Sequence, residues 1–169
     1  MPGRPILLDA LFARRVLLVL TSVGALSLLL ASFLPVLRLA VADPTVLRGQ
    51  RTSYSGFDRH SVSLVLIALV ALPAALLAVR GLRVAAFGVL LCALATLLIA
   101  VGIDLADLQR TGALGADLTA ARFTAGSGYY FETLAGILLL LSAGGLIALQ
   151  PWPAEPAPGP LSDPAEPGS

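Results

Sequence analysis

Four long apolar runs dominate this chain, and they leave it few ways to fold. They are Val16 to Leu34, Val62 to Val79, Val84 to Ile103 and Leu134 to Leu149, and none holds a charged side chain. A helix needs about 20 apolar residues, and at least about 17, to cross the hydrocarbon core of a bilayer. The fourth run reaches that length once Tyr129, Tyr130 and Phe131 at its entrance are included. In hydrocarbon an isolated strand would leave its backbone groups unpaired, so each run is expected to be a helix. With their flanks the spans are placed at about 16–36, 61–79, 83–103 and 129–149. The expected fold is an all-α membrane protein, an antiparallel bundle of four transmembrane helices with two extracytoplasmic loops. Pro73 falls inside the second span, where a kink is tolerable if a neighbour satisfies the freed carbonyl.

Composition supports lipid as the solvent. Hydrophobic residues make up 57% of the 169 and charged residues only 12%, where soluble domains have roughly 45–50% and 25%. A net charge of +1 gives no basic field for nucleic acid. The single cysteine, Cys92, excludes an internal disulfide and a cysteine-based metal site, and the single histidine, His60, excludes a multi-histidine one. No cofactor and no metal are expected from these counts.

The chain divides into a short N-terminal segment (1–15), the membrane domain (16–149) and a tail (150–169) whose 151–169 stretch carries seven prolines, three acids and no base. Such a tail cannot build a core and is expected to be disordered. Loop one, Val36 to Ser61, partly alternates polar and apolar residues over Leu37–Val41 and Thr45–Tyr54, so it can form a short β-hairpin on the helix ends. Loop two, Asp104 to Gly128, is glycine-rich and acidic. Arg14 and Arg15 abut the first span, and Arg80 and Arg83 bracket the hairpin between spans two and three. Basic residues beside helix ends favour the cytoplasmic side, so a multi-pass protein of the cell membrane with both termini inside is expected. A competing reading takes residues 1–42 as a signal peptide cleaved after Ala42, against which stand the long apolar run, Pro35 and Arg38.

Helices in lipid associate through small residues. Span three carries Gly81, Ala85, Gly88, Cys92, Ala95 and Gly102 at steps of three and four, interrupted by Ile99, and span two carries Ala68, Ala71, Ala75 and Ala78. Those stripes are the expected packing seam, with Cys92 as an inert packing thiol.

No charge lies deep within any span, which argues against a simple proton or cation transporter. The candidate site is instead a polar cluster at the outer rim: Asp58, Arg59, Asp104, Arg122 and Glu132. Its bland interpretation is that the acids pair with Arg59, Arg110 or Arg122 and pin the loops to the bundle. His60 reads as an interfacial residue in the first turn of span two, with Ser61 as a cap. No nucleophile lies beside a base, so an enzyme is not expected.

Leu34-Pro35, the run Ser53 to Asp58, Ile103-Asp104-Leu105 and the run Gly126 to Glu132 resemble motifs of small four-span membrane proteins of high-GC, actinobacterial-type bacteria. The chain is also similar to the tryptophan-operon-associated membrane proteins of that group, except that Phe57 stands where tryptophan would be expected. The resemblance covers about 15–149 and implies the architecture without an activity. The layout is similar in shape to claudin-like bundles. Together these features suggest a non-enzymatic accessory protein that contacts the lipid bilayer and a membrane or envelope protein through its outer loops. The alternative is handling of a lipid or small solute in a cavity between the outer helix ends.

Overall fold

The computed structural model describes residues 4–41, 52–60, 62–109, 111–114 and 119–150. The Pro-rich stretch 151–169, the cleavage position of the signal-peptide reading at Ala42, the Thr45–Arg51 part of the expected hairpin, Ser61 and Arg110 lie outside them.

Three helices are long and apolar enough to cross a membrane by length and composition: Leu11–Phe33, Arg83–Leu108 and Ser127–Ala148. The first belongs to α1 (Arg4–Phe33), the last is α6 (Ser127–Ala148), and the middle one joins α4 (Arg83–Leu97), a π-helical segment (Leu98–Asp104) and α5 (Leu105–Leu108). The second apolar run forms a shorter apolar helix, α3 (Ser63–Val79), which continues through Pro73. Helix α1 packs on α6 and α3, and α4 packs on α3 and α6, so the four helices close on one core. That core is made of small residues, as close approach in an apolar solvent requires. Ala25, Ala31, Ala71, Ala75, Ala86, Ala93, Ala135 and Ala143 are fully buried, while Leu26, Leu69, Leu91, Leu98 and Leu141 point outward.

Helices α3 and α4 are joined by a tight reversal. Gly81 has φ of 100°, and its N–H donates to Ala78 O while Leu82 N–H donates to Leu77 O. This pair of bonds satisfies the carbonyls that end α3. At the same end Arg14 Nη1 donates to Val79 O at 3.4 Å and Gln150 Nε2 to Ala78 O at 3.5 Å, so α1 and the end of α6 lie beside the reversal.

The opposite end is capped by a four-stranded antiparallel sheet in the order β2-β1-β4-β3. Strand β1 (Pro35–Val41) follows α1 after one residue, and β4 (Thr119–Ala125) precedes α6 by one residue. They pair from Leu37↔Ala125 to Val41↔Ala121. Strand β2 (Ser53–Ser55) flanks β1 and β3 (Thr111–Leu114) flanks β4. The β1–β2 pair is compatible with the expected hairpin of loop one, and loop two supplies two further strands that the sequence did not suggest. Loop two is poor in β-branched residues, so β4 is held by pairing to β1, and β3 by pairing to β4, rather than by their own propensity. The rings of Tyr54 and Phe123 meet edge-to-face across β1 with centroids 6.4 Å apart.

The sheet sits directly on the bundle. Val36 and Leu37 are fully buried, and Gly126 N–H donates to Val36 O at 2.8 Å. A Cβ on Gly126 would fall 2.0 Å from Pro35 O, so only glycine lets β1 and the start of α6 come this close.

The packing seam differs in phase from its sequence expectation. In α3, Ala71 and Ala75 are buried. Gly81 is an exposed turn residue ahead of α4, in which Ala85 and Gly88 are half-buried and Cys92 is buried. The deepest stripe of α4 runs through Ala86, Val89, Ala93 and Thr96. The shift has a physical cause. Helix α4 must face α3 and α6 at once, so its buried arc is wider than one stripe of small residues and is centred between the two neighbours.

Candidate functional site

Beneath the sheet, at the same end of the bundle, polar side chains from three elements converge. The first element is α2 (Gly56–His60), a single turn between β2 and α3. Gly56 is buried and its N–H donates to Leu34 O, which ties the turn to the end of α1. Asp58 accepts bonds from Ser55 N–H and Ser55 Oγ–H at 3.1 and 2.8 Å, and Ser55 Oγ in turn accepts from Asp58 N–H. That local ring fixes the turn and sends Arg59 and His60 towards the bundle.

The second element is the π-helical segment. Val89 and Thr96 are fully buried and seven residues apart, two α-helical turns. Continuing that period would place Ile103 inward. Instead Ile103 is 46% exposed and Asp104 is fully buried. Asp104 lies four residues after the fully buried Ala100, on the same inward face, and the π-helical segment carries the chain between them. Single π turns of this kind recur at functional sites.

The third element is α6, on which Glu132 is fully buried one turn inside the N-terminus. Burial of carboxylates in a bundle of this kind is costly unless they are paired or hold a cation.

The geometry links the three. His60 Nε2 lies 3.0 Å from Asp104 Oδ2, with the imidazole side chain only 7% exposed. Arg59 Nη2 lies 3.2 Å from Asp104 Oδ1, an ion pair whose angle does not make a hydrogen bond. The same nitrogen hydrogen-bonds Asp107 Oδ2, so one guanidinium serves two acids. Glu132 feels both Asp104 and Arg59 electrostatically. Neither of its carboxylate oxygens has a hydrogen-bond partner among the described residues. Donor atoms of His60, Asp104 and Glu132 all lie within 4.8 Å of one another.

Of the five rim residues expected from the sequence, Arg59, Asp104 and Glu132 come together. Asp58 shares the α2 turn with Arg59 and His60 and bonds Ser55. Arg122 is exposed on β4, opposite Ala40 and Thr111. Two members were not selected from the sequence. His60 reads there as an interfacial residue of span two, but α2 is a separate turn and buries its ring against Asp104. Asp107 is brought to Arg59 by its position three residues after Asp104. The mixed set of one imidazole and two carboxylates is a different donor set from the multi-histidine and cysteine sites that the residue counts exclude.

No family model, curated protein or solved structure matches this chain.

Proposed function

We propose that the chain is a four-span protein of the bacterial cell membrane, with both termini cytoplasmic, that acts as a non-enzymatic accessory protein through its sheet-capped outer end. Helix α3 is taken as the fourth span. Its 17 residues would extend about 25 Å, at the lower limit for crossing the ~30 Å core. It is sandwiched between α1 and α4, and its exposed Leu66, Leu69, Val70, Leu76 and Leu77 call for an apolar solvent. The likeness of its motifs to small four-span proteins of high-GC bacteria supports the same reading.

One observation carries the functional part: both loops are spent on a single sheet whose outermost strands are β2 and β3. Among the described residues no strand pairs with their outer edges. An open edge is a template for a partner strand, and many recognition modules bind by adding one. Photo-crosslinking residues placed at Ser53 and Gly112 in native membranes should give the same discrete protein adduct. The same probe at lipid-facing Leu91 and Leu141 should give none. Adducts at all four positions alike, or at none, would overturn the reading.

A second reading, handling of a small solute at the outer helix ends, is favoured by the unpartnered Glu132 beside Asp104.

A further inference from the structure

The buried cluster is hard to understand as an ion-pair network alone. Glu132 is fully buried, and none of the described residues donates a hydrogen bond to it. Asp104, also fully buried, lies within 4.8 Å of it. The guanidinium of Arg59 reaches Asp104 but is shared with Asp107, so its one charge does not offset two buried carboxylates. A hydrophobic side chain in place of Glu132 would remove the problem, and buried charges that survive in such surroundings are paired or hold a metal.

The donors have the composition and proximity that a metal needs. An imidazole and two carboxylates suit zinc, manganese and ferrous iron, whereas calcium and magnesium prefer all-oxygen sites. His60 Nε2 and Asp104 Oδ2 are 3.0 Å apart. Two ligands each about 2.1 Å from one ion subtend roughly a right angle at that separation. Ligands of one ion lie about 3.4 Å apart at tetrahedral positions and about 4.2 Å apart when opposite each other, so the widest pair, within 4.8 Å, closes by up to about 0.6–1.4 Å when the ion binds. Arg59 beside Asp104 Oδ1 supplies the outer contact that orients a ligating carboxylate. We infer that His60, Asp104 and Glu132 bind one divalent transition-metal ion of the zinc or manganese class. The ion joins α2, the end of the π-helical segment and α6 just beneath the sheet. This inference is independent of the partner-docking reading and stands or falls separately from it.

The test uses the full chain in detergent, purified without a histidine tag, stripped with chelator and titrated with Zn²⁺ and Mn²⁺ by calorimetry. One equivalent should bind per chain, and the thermal unfolding midpoint should rise with metal concentration. Glu132→Gln keeps the side-chain volume and removes a buried charge, so it should fold while its Kd weakens by more than ~100-fold. His60→Asn should do the same. Asp58→Asn, outside the cluster, should bind as the parent does. Absence of saturable binding of both ions by the parent, or unchanged affinity in Glu132→Gln and His60→Asn, would overturn the inference and leave Asp104 and Glu132 as an acid pair sharing a proton.

Discussion

Gly126 meets the carbonyl of Pro35 so closely that a methyl group on it would lie 2.0 Å from the oxygen. This contact joins the first strand to the last helix, and backbone that tight cannot yield as a side chain would. Gly126→Ala should therefore separate β1 from α6 and cost more than about 2 kcal/mol, within the range for strain at a special backbone position. Gly112→Ala on β3 meets nothing within 4 Å and should be close to neutral. Thermal unfolding in detergent compares the two, and equal midpoints would count against the contact.

Arg59 stands between Asp104 and Asp107. Removing one member of a buried pair leaves an uncompensated charge and costs about 3–5 kcal/mol. Arg59→Ala should approach the lower figure, because the guanidinium side chain is 22% exposed and solvent screens part of its charge. Arg122→Ala, on the exposed face of β4, should change stability by less than ~0.5 kcal/mol. Denaturant titration of both variants gives the comparison, and similar losses would mean that Arg59 is no more than a surface charge.

Deep in the bundle, Ser142 Oγ donates to Leu17 O at 2.8 Å and lies 2.5 Å from Thr21 Oγ1. Polar contacts between helices in lipid contribute about 0.6 kcal/mol on average and up to about 1.7. Ser142→Ala should cost an amount in that range. A double-mutant cycle with Thr21→Val should show coupling, because the two hydroxyls share the Leu17 carbonyl. Strictly additive losses would show that the hydroxyls act separately.

The π-helical segment makes a sharper prediction. If Leu98–Asp104 accommodates one extra residue, deletion of Gly102 converts it to ordinary α-helix while Asp104 stays inward, on the face of Thr96. That variant should fold and retain the contact of Asp104 with His60. Deletion of Ala93, where the helix has no slack, should rotate everything beyond it by about 100° and abolish folding. Size-exclusion profiles of the two deletions distinguish the outcomes. Loss of folding in both would mean that the wide turn does not store a removable residue.

On the proposed four spans, the Gly81 reversal and the sheet lie on opposite sides of the membrane. In a Cys92→Ala background, cysteines at Gly81 and Gly112 should react with an impermeant thiol reagent from opposite faces of sealed vesicles. Labelling of both from one face would mean that α3 does not cross.

The apolar runs made the helices legible, because the length and continuity of a hydrophobic stretch survive without knowledge of its neighbours. The alternation at Leu37–Val41 similarly announced β1. Strands β3 and β4 were not legible: Thr-Gly-Ala-Leu and Thr-Ala-Ala-Arg-Phe-Thr-Ala carry little intrinsic β preference, and β1, which anchors β4, lies far away in sequence. Arg59, Asp104 and Glu132 stood out as charges at span ends. Their convergence with His60 did not, because it depends on α2 forming a separate turn that brings Arg59 and His60 to Asp104. The phase of the α4 seam was hidden for a related reason: small residues mark where close approach is allowed, and the neighbours decide which of those positions are used.

The sheet cap also sets a timetable for biogenesis. Strand β1 pairs with β4 more than 80 residues later in the chain. At about 5–20 residues per second, β1 emerges from the ribosome several seconds before its main partner exists. During that interval one long edge of β1 is open, and it closes only once β4, directly ahead of the last helix, has been made. Completion of the cap thus comes late in the making of the chain. A chain arrested or truncated before β4 would display an unsatisfied strand edge, a feature by which quality-control proteases and chaperones could tell unfinished copies from finished ones.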